Sequence, residues 1–464
     1  MSTLLATSHS PRTRFVFDAR SILLLGGPLI VNNLAIAGMQ FADTVFAGQL
    51  GARDLAAVAV GSAFYMFFFI GGLGLLMAMS PLVAHAYGAG DNQRIGKLAR
   101  QALWLSQFVA FTLIVPMLFV ERILAAIGIA PEVIDKAGDF VHAICFGFPA
   151  IMAFLALRFV SEGIGWTRPI MYTAMVALAT NVAGCYVFMY GKLGMPALGA
   201  AGAGVSNAIV MWIMLAMMLA YVRRHRVYRP FDLFSRFELP GRATQREIIA
   251  FGLPIAGSIM AEGGLFVVSA LMMGTLGTTV VAAHQIAINY ASLMFMIPLS
   301  LHSATTIHVG HALGRRQPAA ARFAGWVGVA MCVAFMSASA IAIVFFGDSI
   351  AALYTQDPAV RPLAGALLLM AAIFQISDGL QVGSAGALRG FKDARVPMLL
   401  CVFSYWGVGF PLAYGLGVVQ QRGPAYVWVG LIAGLTVCAL LLSVRYAWLS
   451  GRAVQAARGS PGAP

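Results

Sequence analysis

About twelve apolar segments, each of roughly 20 residues or more, follow one another along the 464-residue chain. A run of about 20 apolar residues is long enough to cross a bilayer as an α-helix. Inside lipid the backbone must satisfy its own hydrogen bonds, and a helix does so within a single segment. A transmembrane barrel would need alternating segments of about ten residues, a pattern that the sequence does not show. We therefore predict an all-α integral membrane protein.

The charge content agrees with this prediction. Only 10% of the residues are charged, whereas a soluble domain carries about 25%. The predicted transmembrane helices cover these residues: 22–47, 55–83, 99–120, 135–158, 169–190, 197–221, 247–274, 280–308, 323–346, 362–388, 397–417 and 426–449.

The second half of the chain repeats the first at a distance of 226 residues, without a gap. At this offset Pro254 corresponds to Pro28, and Gly277 corresponds to Gly51. The same register pairs Gly274 with Gly48, Leu276 with Leu50, Ala282 and Ala283 with Ala56 and Ala57, His311 with His85, and Gly314 with Gly88. Two halves of six helices each, in the same orientation, are typical of transporters that alternately expose a site between two bundles.

The distribution of Lys and Arg predicts the orientation, because cytoplasmic loops carry an excess of these residues. With the N-terminus inside, 24 of the 30 basic residues fall in inside segments. The formal charge of +13 is then explained without nucleic acid. We expect a cytoplasmic segment over 1–21, a six-helix lobe over 22–221, a cytoplasmic linker over 222–246, a second six-helix lobe over 247–449 and a cytoplasmic tail over 450–464, with a cavity between the lobes.

The linker is rich in arginine and contains aromatic residues. Such a segment can bind anionic lipid head groups, or it can be an ordinary basic cytoplasmic loop. The last residues of the tail, 459–464, have the Gly, Ser and Pro content of a disordered end.

Three acidic residues lie well inside apolar segments: Asp43, Glu262 and Asp378. A charged side chain at bilayer depth costs about 2.5–3.5 kcal/mol on insertion scales, so it is expected to face the protein interior, water or a cation. At the 226-residue offset Asp43 corresponds to Ser269, and Glu262 corresponds to Ile36. The two halves therefore carry non-equivalent acidic sites, which we predict to couple transport to a cation.

Polar residues in the same apolar segments could contact the cation or a substrate. We select Asn32, Asn33, Gln40, Asn181, Gln285, Asn289, Tyr290 and Gln381. Oxygen ligands from such residues suit Na+, whereas a lone buried carboxylate suits a proton because burial disfavours its charged form. The residues alone do not choose between the two ions, and we expect no other cofactor.

Several other kinds of site are not supported. His308 and His311, with His302 upstream, lack the carboxylate or cysteine that would complete a metal site. The glycine clusters follow no strand and precede no Walker lysine, so ATP binding is not expected. The five cysteines lie in apolar segments without the spacing of a disulfide framework or metal site.

Seven motifs follow one another along the chain: FADTVFAGQLGARDLAAVAVG at 41–61, PLVAHAYGAGD at 81–91, EGIGWTRP at 162–169, YGKLGMPALGAAGAGVSNA at 190–208, LGTTVVAAHQIAIN at 276–289, MIPLS at 296–300 and SDGLQVGSAGALRGFKD at 377–393. Together they resemble the multidrug and toxic compound extrusion (MATE) transporters, especially their bacterial NorM-like branch. The similarity covers residues 20–450.

The resemblance implies twelve helices in two lobes and export of diverse, often cationic, compounds by Na+ or H+ antiport. It implies cation binding for Asp43, Glu262 and Asp378, which fall on the family's motif positions. Asn181 also matches an asparagine of the family. Cys185 stands where NorM-like sequences usually have a second asparagine, and this difference puts a complete Na+ site in the first lobe in doubt.

We therefore predict a multidrug efflux transporter rather than an enzyme, in the bacterial inner membrane, with both termini in the cytoplasm. Its partners would be small drugs or toxic metabolites and membrane lipid, without nucleic acid or ATP, and we expect a monomer. A flippase for a lipid-linked sugar is the alternative, although it would favour a cationic cavity. An intramembrane enzyme would need paired aspartates near a membrane surface or a nucleophile with a base, and the sequence offers neither.

Overall fold

The computed structural model describes residues 11–234 and 238–458. Eleven helices in this part of the chain are individually long and apolar enough to cross a membrane. A twelfth span forms if α6 (Pro131–Cys145) and α7 (Phe148–Gly163), which are bent by 49° relative to each other, are counted as one. The prediction of an all-α membrane protein with about twelve spans is confirmed, although the break in the fourth span was not predicted.

The chain divides into two compact units. The first unit contains residues 28–87 and 91–256, and the second contains residues 88–90 and 257 onward together with the segment that ends at Gly27. The long first helix, α1 (Pro11–Leu50), therefore contributes to both units, and so does α10 (Arg242–Thr275).

The remaining helices of the first unit are short or of ordinary length for a membrane span. They are α2 (Ala52–Leu76), α3 (Met79–Gly88), α4 (Asn92–Met117), α5 (Val120–Ala126), α8 (Arg168–Tyr190) and α9 (Ala200–Arg224), besides α6 and α7.

The linker between the halves packs on the first unit. Its 3-10 turn over Arg226–Phe231 buries Tyr228, whose hydroxyl lies 2.7 Å from the hydroxyl of Ser161 on α7. Further on, Arg100 of α4 donates a 2.9 Å hydrogen bond to the carbonyl oxygen of Asp232 and forms a 3.0 Å ion pair with Glu238. Residues 235–237 of the linker, 1–10 of the predicted N-terminal segment and 459–464 of the predicted tail lie outside the described residues.

The second unit contains longer helices. They are α11 (Thr278–Gly314), α12 (Pro318–Tyr354), α13 (Arg361–Gly390), α14 (Arg395–Val402), α15 (Phe410–Leu412) and α16 (Pro424–Arg458). The segments Phe403–Gly409 and Ala413–Val419 are π-helical and join α14 and α15 into one span.

The backbone of both halves follows the predicted 226-residue register. Gly51 precedes α2 with φ 123°, and Gly277 precedes α11 with φ 118°. These left-handed values favour glycine because it has no Cβ. α4 and α12 then begin at corresponding residues, Asn92 and Pro318. The turn between helices is thus preserved in both copies, which explains why the glycines stand out in the sequence repeat.

Small residues allow the π-helical span to lie directly against α16. A methyl group on Gly430 of α16 would overlap the backbone of Ala413, and one on Gly434 would overlap Gly409. Small residues at such positions let helix backbones approach closely in membrane proteins. The packing of this part of the second unit therefore requires glycine at both positions of α16.

We expect Gly430→Ala to lower the apparent melting temperature of the purified protein in detergent. The added methyl group meets backbone atoms, which cannot rotate away, and overpacking of this kind costs about 1–3 kcal/mol. Gly451→Ala in the same helix is the control, since its nearest neighbour is the flexible end of Arg322 at 3.7 Å. Equal melting temperatures for the two variants would contradict the close contact between α16 and Ala413.

Candidate functional site

Asp43 lies on α1 at the centre of a polar cluster in the first unit, and its side chain is 9% exposed. Asn181 donates a 3.0 Å hydrogen bond to Oδ1, and Asn207 donates a 2.8 Å hydrogen bond to Oδ2. The Cys185 thiol donates a third hydrogen bond, 3.1 Å long, to Oδ1. Hydrogen bonds to a charged group contribute about 1.5–3 kcal/mol each, so this cluster can offset the cost of the buried carboxylate.

The sequence of α8 places two of these donors on one face. Asn181 and Cys185 are four residues apart, which is about one helical turn. Gly184 lies between them, and a methyl group there would overlap the side chain of Ser206 on α9. Glycine at this position therefore allows α9 to approach α8, and the close approach brings Asn207 to the carboxylate.

The Asp43 carboxylate also lines a cavity of about 140 Å³ within the first unit. Aromatic and methionine side chains make up much of the wall, with Gln40, Ser62, Tyr65 and Asn207 as neutral polar groups. Arg158 of α7 is the only cationic residue of this wall among the described residues. The cavity thus combines an adaptable apolar surface with one carboxylate and one guanidinium.

A second acidic cluster lies in the other unit. Glu262 on α10 is partly buried and lies within hydrogen-bonding reach of Gln381 on α13. Gln381 donates a 2.9 Å hydrogen bond to the hydroxyl of Tyr405. Asp378, 4% exposed and one turn before Gln381, is close enough to Glu262 for the two carboxylates to repel each other.

This second cluster contains acceptor atoms without a hydrogen-bond partner among the described residues. Oε1 of Gln381 is buried in this way, and so are both Oε1 and Nε2 of Gln375, one turn before Asp378 on α13. Buried polar groups are normally paired, so these side chains have hydrogen-bonding capacity left for a ligand or water. Arg389, further along α13, interacts electrostatically with Glu262 and supplies a positive charge near the cluster.

The other predicted contact residues lie on α1 and α11. Asn32 is buried on α1 and donates a 3.1 Å hydrogen bond to Asn33. On α11, Asn289 accepts a 3.0 Å hydrogen bond from Tyr354, and the Tyr290 hydroxyl lies 3.4 Å from that of Ser339. Gln285, on the same helix, is exposed.

The histidines singled out by the sequence have structural partners. Nε2 of His308 lies 2.9 Å from a carboxylate oxygen of Asp18 on α1, and Nδ1 of His302 lies 2.8 Å from the carbonyl oxygen of Val382. Within residues 11–234 and 238–458, no three His, Cys, Asp or Glu side chains converge as a metal site requires.

The sequence profile of the MatE family matches residues 28–187 and 254–415 of this chain. The two matches begin 226 residues apart, at the offset of the internal repeat. The chain belongs to the MatE family. This membership makes the protein a multi-pass membrane transporter rather than an enzyme.

The chain is similar over nearly its full length to bacterial members of the MatE family. It is 42% identical to the probable multidrug resistance protein NorM of Xanthomonas axonopodis pv. citri, over 94% of this chain and 96% of that protein. It is 41% identical to the multidrug resistance protein PmpM of Pseudomonas aeruginosa, over 93% of this chain and 91% of that protein. These bacterial relatives place the MatE transporter in the inner membrane.

Solved structures of MATE transporters share the fold. The eukaryotic transporter AtDTX14 superimposes with a TM-score of 0.86 and 20% identity, over 96% of this chain and all of that chain. An outward-facing multidrug resistance MATE family transporter superimposes with a TM-score of 0.85 and 21% identity, over 96% of this chain and 97% of that one.

Sequence reasoning missed four residues in or beside the MatE transporter's polar clusters. Asn207 is a lone amide in an apolar helix, and Tyr405 is one of many aromatic residues, so neither has a strong local signal. Arg158 and Glu162 form a 2.8 Å ion pair on α7. The sequence does carry a signal for this ion pair, because two opposite charges lie four residues apart in an apolar segment.

We expect Asn207→Ala to lower the apparent melting temperature in detergent. The variant removes the 2.8 Å hydrogen bond to Oδ2 of Asp43, and a buried acceptor left unpaired costs about 1–3 kcal/mol. Gln285→Ala is the control, because Gln285 is exposed in the other unit. A loss no larger than that of the control would show that Asn207 does not stabilise the carboxylate.

Proposed function

We propose that this MatE transporter is a secondary multidrug efflux transporter that exports amphipathic, often cationic, compounds by Na+ or H+ antiport. Two relatives that share about 40% of its sequence carry the name of multidrug resistance proteins. The observation that carries the proposal is the cavity at Asp43, where a nearly buried carboxylate meets a wall of aromatic and methionine side chains.

This cavity suits ligands of different shapes. Methionine and aromatic side chains offer apolar contacts, and flexible thioethers adapt to different outlines. Promiscuous binding sites use surfaces of this kind. The Asp43 carboxylate supplies a charge that attracts an ammonium group, while its three hydrogen-bond donors keep the site stable when no ligand is bound.

We assign a different task to the second cluster. Glu262 and Asp378 lie close together beside two unpaired side-chain oxygens. Two buried carboxylates that repel each other favour the binding of a proton, and the hard oxygen ligands also suit Na+. The coupling cation would therefore load at this cluster, and the drug would bind at Asp43.

Linkage between the two sites would couple the cation to the drug. If cation binding lowers the affinity for drug, the drug lowers the affinity for the cation by the same factor. Alternating access with such antagonistic binding gives exchange. A membrane potential supplies about 2.3 kcal/mol per net charge per 100 mV. It therefore drives the export of a monocationic drug only if more than one cation enters for each drug that leaves, whereas a one-for-one exchange is driven by the cation's concentration gradient.

We expect a Glu262→Gln, Asp378→Asn double variant to lose cation-driven drug movement by ten-fold or more. The assay uses inverted vesicles, the fluorescent cation ethidium, and a Na+ gradient or a pH gradient imposed separately. Glu132→Gln is the control, because Glu132 is an exposed acid in an ion pair with Arg53. Movement driven by Na+ alone would identify Na+ as the coupling ion, and movement driven by the pH gradient alone would identify the proton.

Ethidium binding in detergent tests whether the drug binds at Asp43 and the cation at the second cluster. The proteins compared are the double variant and Asp43→Asn. The double variant should bind ethidium with nearly normal affinity, whereas Asp43→Asn should bind it about ten-fold more weakly because it loses the charge in the cavity. Wild-type vesicles that move no ethidium under either gradient would reject the antiport proposal and favour the lipid-linked sugar flippase.

We also propose that both termini face the cytoplasm, since 24 of the 30 basic residues then lie on the cytoplasmic side. Green fluorescent protein fused after Pro464 should fluoresce, because it folds in the cytoplasm. Alkaline phosphatase at the same position should be inactive, because it requires the oxidising periplasm. The opposite pair of results would reverse the orientation.

A further inference from the structure

We propose that Cys401 and Cys438 form a redox-sensitive site in the second unit. A peroxide joins the two thiols as a disulfide, and this bond slows transport because it restricts the surroundings of Glu262. The effect on transport rests on the proposed function, whereas formation of the disulfide does not depend on it.

The two sulfur atoms are in contact inside the unit. Cys401 is on α14 and Cys438 is on α16, and both are free thiols. Their Sγ atoms are 3.4 Å apart. A disulfide bond is about 2.05 Å long, so the two sulfur atoms need to approach each other by only about 1.4 Å. The pair can therefore close without bringing new helices together.

Glycine packing holds the two helices at this distance. Gly434 lies one turn before Cys438 on α16, and a methyl group there would overlap Gly409 and the carbonyl oxygen of Ser404. Ser404 follows Cys401 by three residues, in the π-helical segment that continues α14. The backbones beside the two cysteines are thus already in contact, which favours a bond between their side chains.

The pair is connected to the second acidic cluster through Tyr405. The Tyr405 hydroxyl lies within hydrogen-bonding reach of Cys438 and accepts a 2.9 Å hydrogen bond from Gln381. Gln381 is in turn within hydrogen-bonding reach of Glu262. Tyr405 also follows Cys401 by about one turn in the same span. A change at the two sulfur atoms is therefore transmitted to Glu262 through two neighbouring side chains.

Burial determines which reagents reach the pair. Cys401 is only 4% exposed, and Cys438 is completely buried. A bulky thiol reagent needs an open approach to sulfur, whereas hydrogen peroxide is a neutral molecule little larger than water. The Tyr405 hydroxyl and the Gln381 amide, both beside the pair, offer hydrogen bonds to such a molecule. The site therefore selects small, uncharged oxidants.

The reaction balances with hydrogen peroxide as the oxidant. The first thiol takes one oxygen atom from the peroxide and becomes a sulfenic acid, and one water leaves. The sulfur of the second thiol then attacks the sulfenic sulfur. The S–S bond forms, the S–O bond breaks, and the hydroxyl leaves with the thiol proton as a second water. Two electrons pass from the two sulfur atoms to the O–O bond of the peroxide.

The disulfide changes the second acidic cluster in two ways. It removes the S–H group of Cys438 beside Tyr405, and it links α14 to α16 covalently. Binding and release of a cation at Glu262 and Asp378 require the neighbouring side chains to turn toward the cation and away from it. A covalent link at this position restricts that movement, so the coupled transport of cation and drug slows.

The chemical test is peptide mapping of the purified full-length protein. The protein is treated with hydrogen peroxide in detergent, denatured, labelled with N-ethylmaleimide and digested for mass spectrometry. We expect the peptides of Cys401 and Cys438 to be joined in the wild type and separated again by dithiothreitol. Cys145→Ala is the matched control, because it removes a buried thiol of the first unit and keeps the pair.

The functional test measures gradient-driven ethidium movement in inverted vesicles, with each protein compared before and after peroxide. We expect peroxide to slow the wild type and Cys145→Ala about ten-fold, with recovery after dithiothreitol. Cys438→Ala should keep most of its own rate, because it retains only one thiol of the pair. Cys401→Ala breaks the pair from the other helix and gives the same comparison if Cys438→Ala does not fold.

The absence of joined peptides in the oxidised wild type would overturn the inference. A disulfide that leaves transport unchanged would also overturn it, and so would equal losses of transport in the wild type and Cys438→Ala. Reduced wild-type protein that moves no ethidium would instead reject the proposed function, and peptide mapping would still decide whether the disulfide forms.

Discussion

The cost of a charge in a low-dielectric interior governs the arrangement of this protein. Hydrocarbon cannot solvate a carboxylate, so every acid within the spans needs a donor, a cation or a proton. Asp43 meets this need with two amides and a thiol from neighbouring helices. Glu162 meets it with the guanidinium of Arg158. The helices must therefore hold these partners at fixed distances from the acids. Helix packing determines those distances.

Small residues make that packing possible. Gly184 permits α9 to approach α8 closely enough for Asn207 to reach Asp43. In the second unit Gly430 and Gly434 permit the π-helical span to lie against α16. Helix association in lipid cannot rely on a hydrophobic driving force, so close contact and hydrogen bonding replace it. The glycines of the spans thus contribute indirectly to the position of charged groups.

The internal duplication preserves the scaffold and changes the sites on it. Gly51 and Gly277 shape equivalent turns with nearly equal φ values. The acidic residues are not repeated in the two halves. Asp43 corresponds to Ser269, and the Ser269 hydroxyl donates a hydrogen bond to the carbonyl oxygen of Leu265 in its own helix. One copy therefore carries the Asp43 cavity and the other carries the Glu262 and Asp378 cluster, on the same helix order.

The sequence by itself determined the helical class, the number of spans, the duplication and the three intramembrane acids of interest, because these depend on composition, length and local spacing. Tertiary structure alone decided which donors reach each acid, since Asn207 is 164 residues from Asp43 in the chain. It likewise paired Asn289 with Tyr354 and placed Arg158 in the cavity wall. Helical periodicity defines the neighbours within one helix, whereas contacts between helices depend on the depth and rotation at which their side chains interlock.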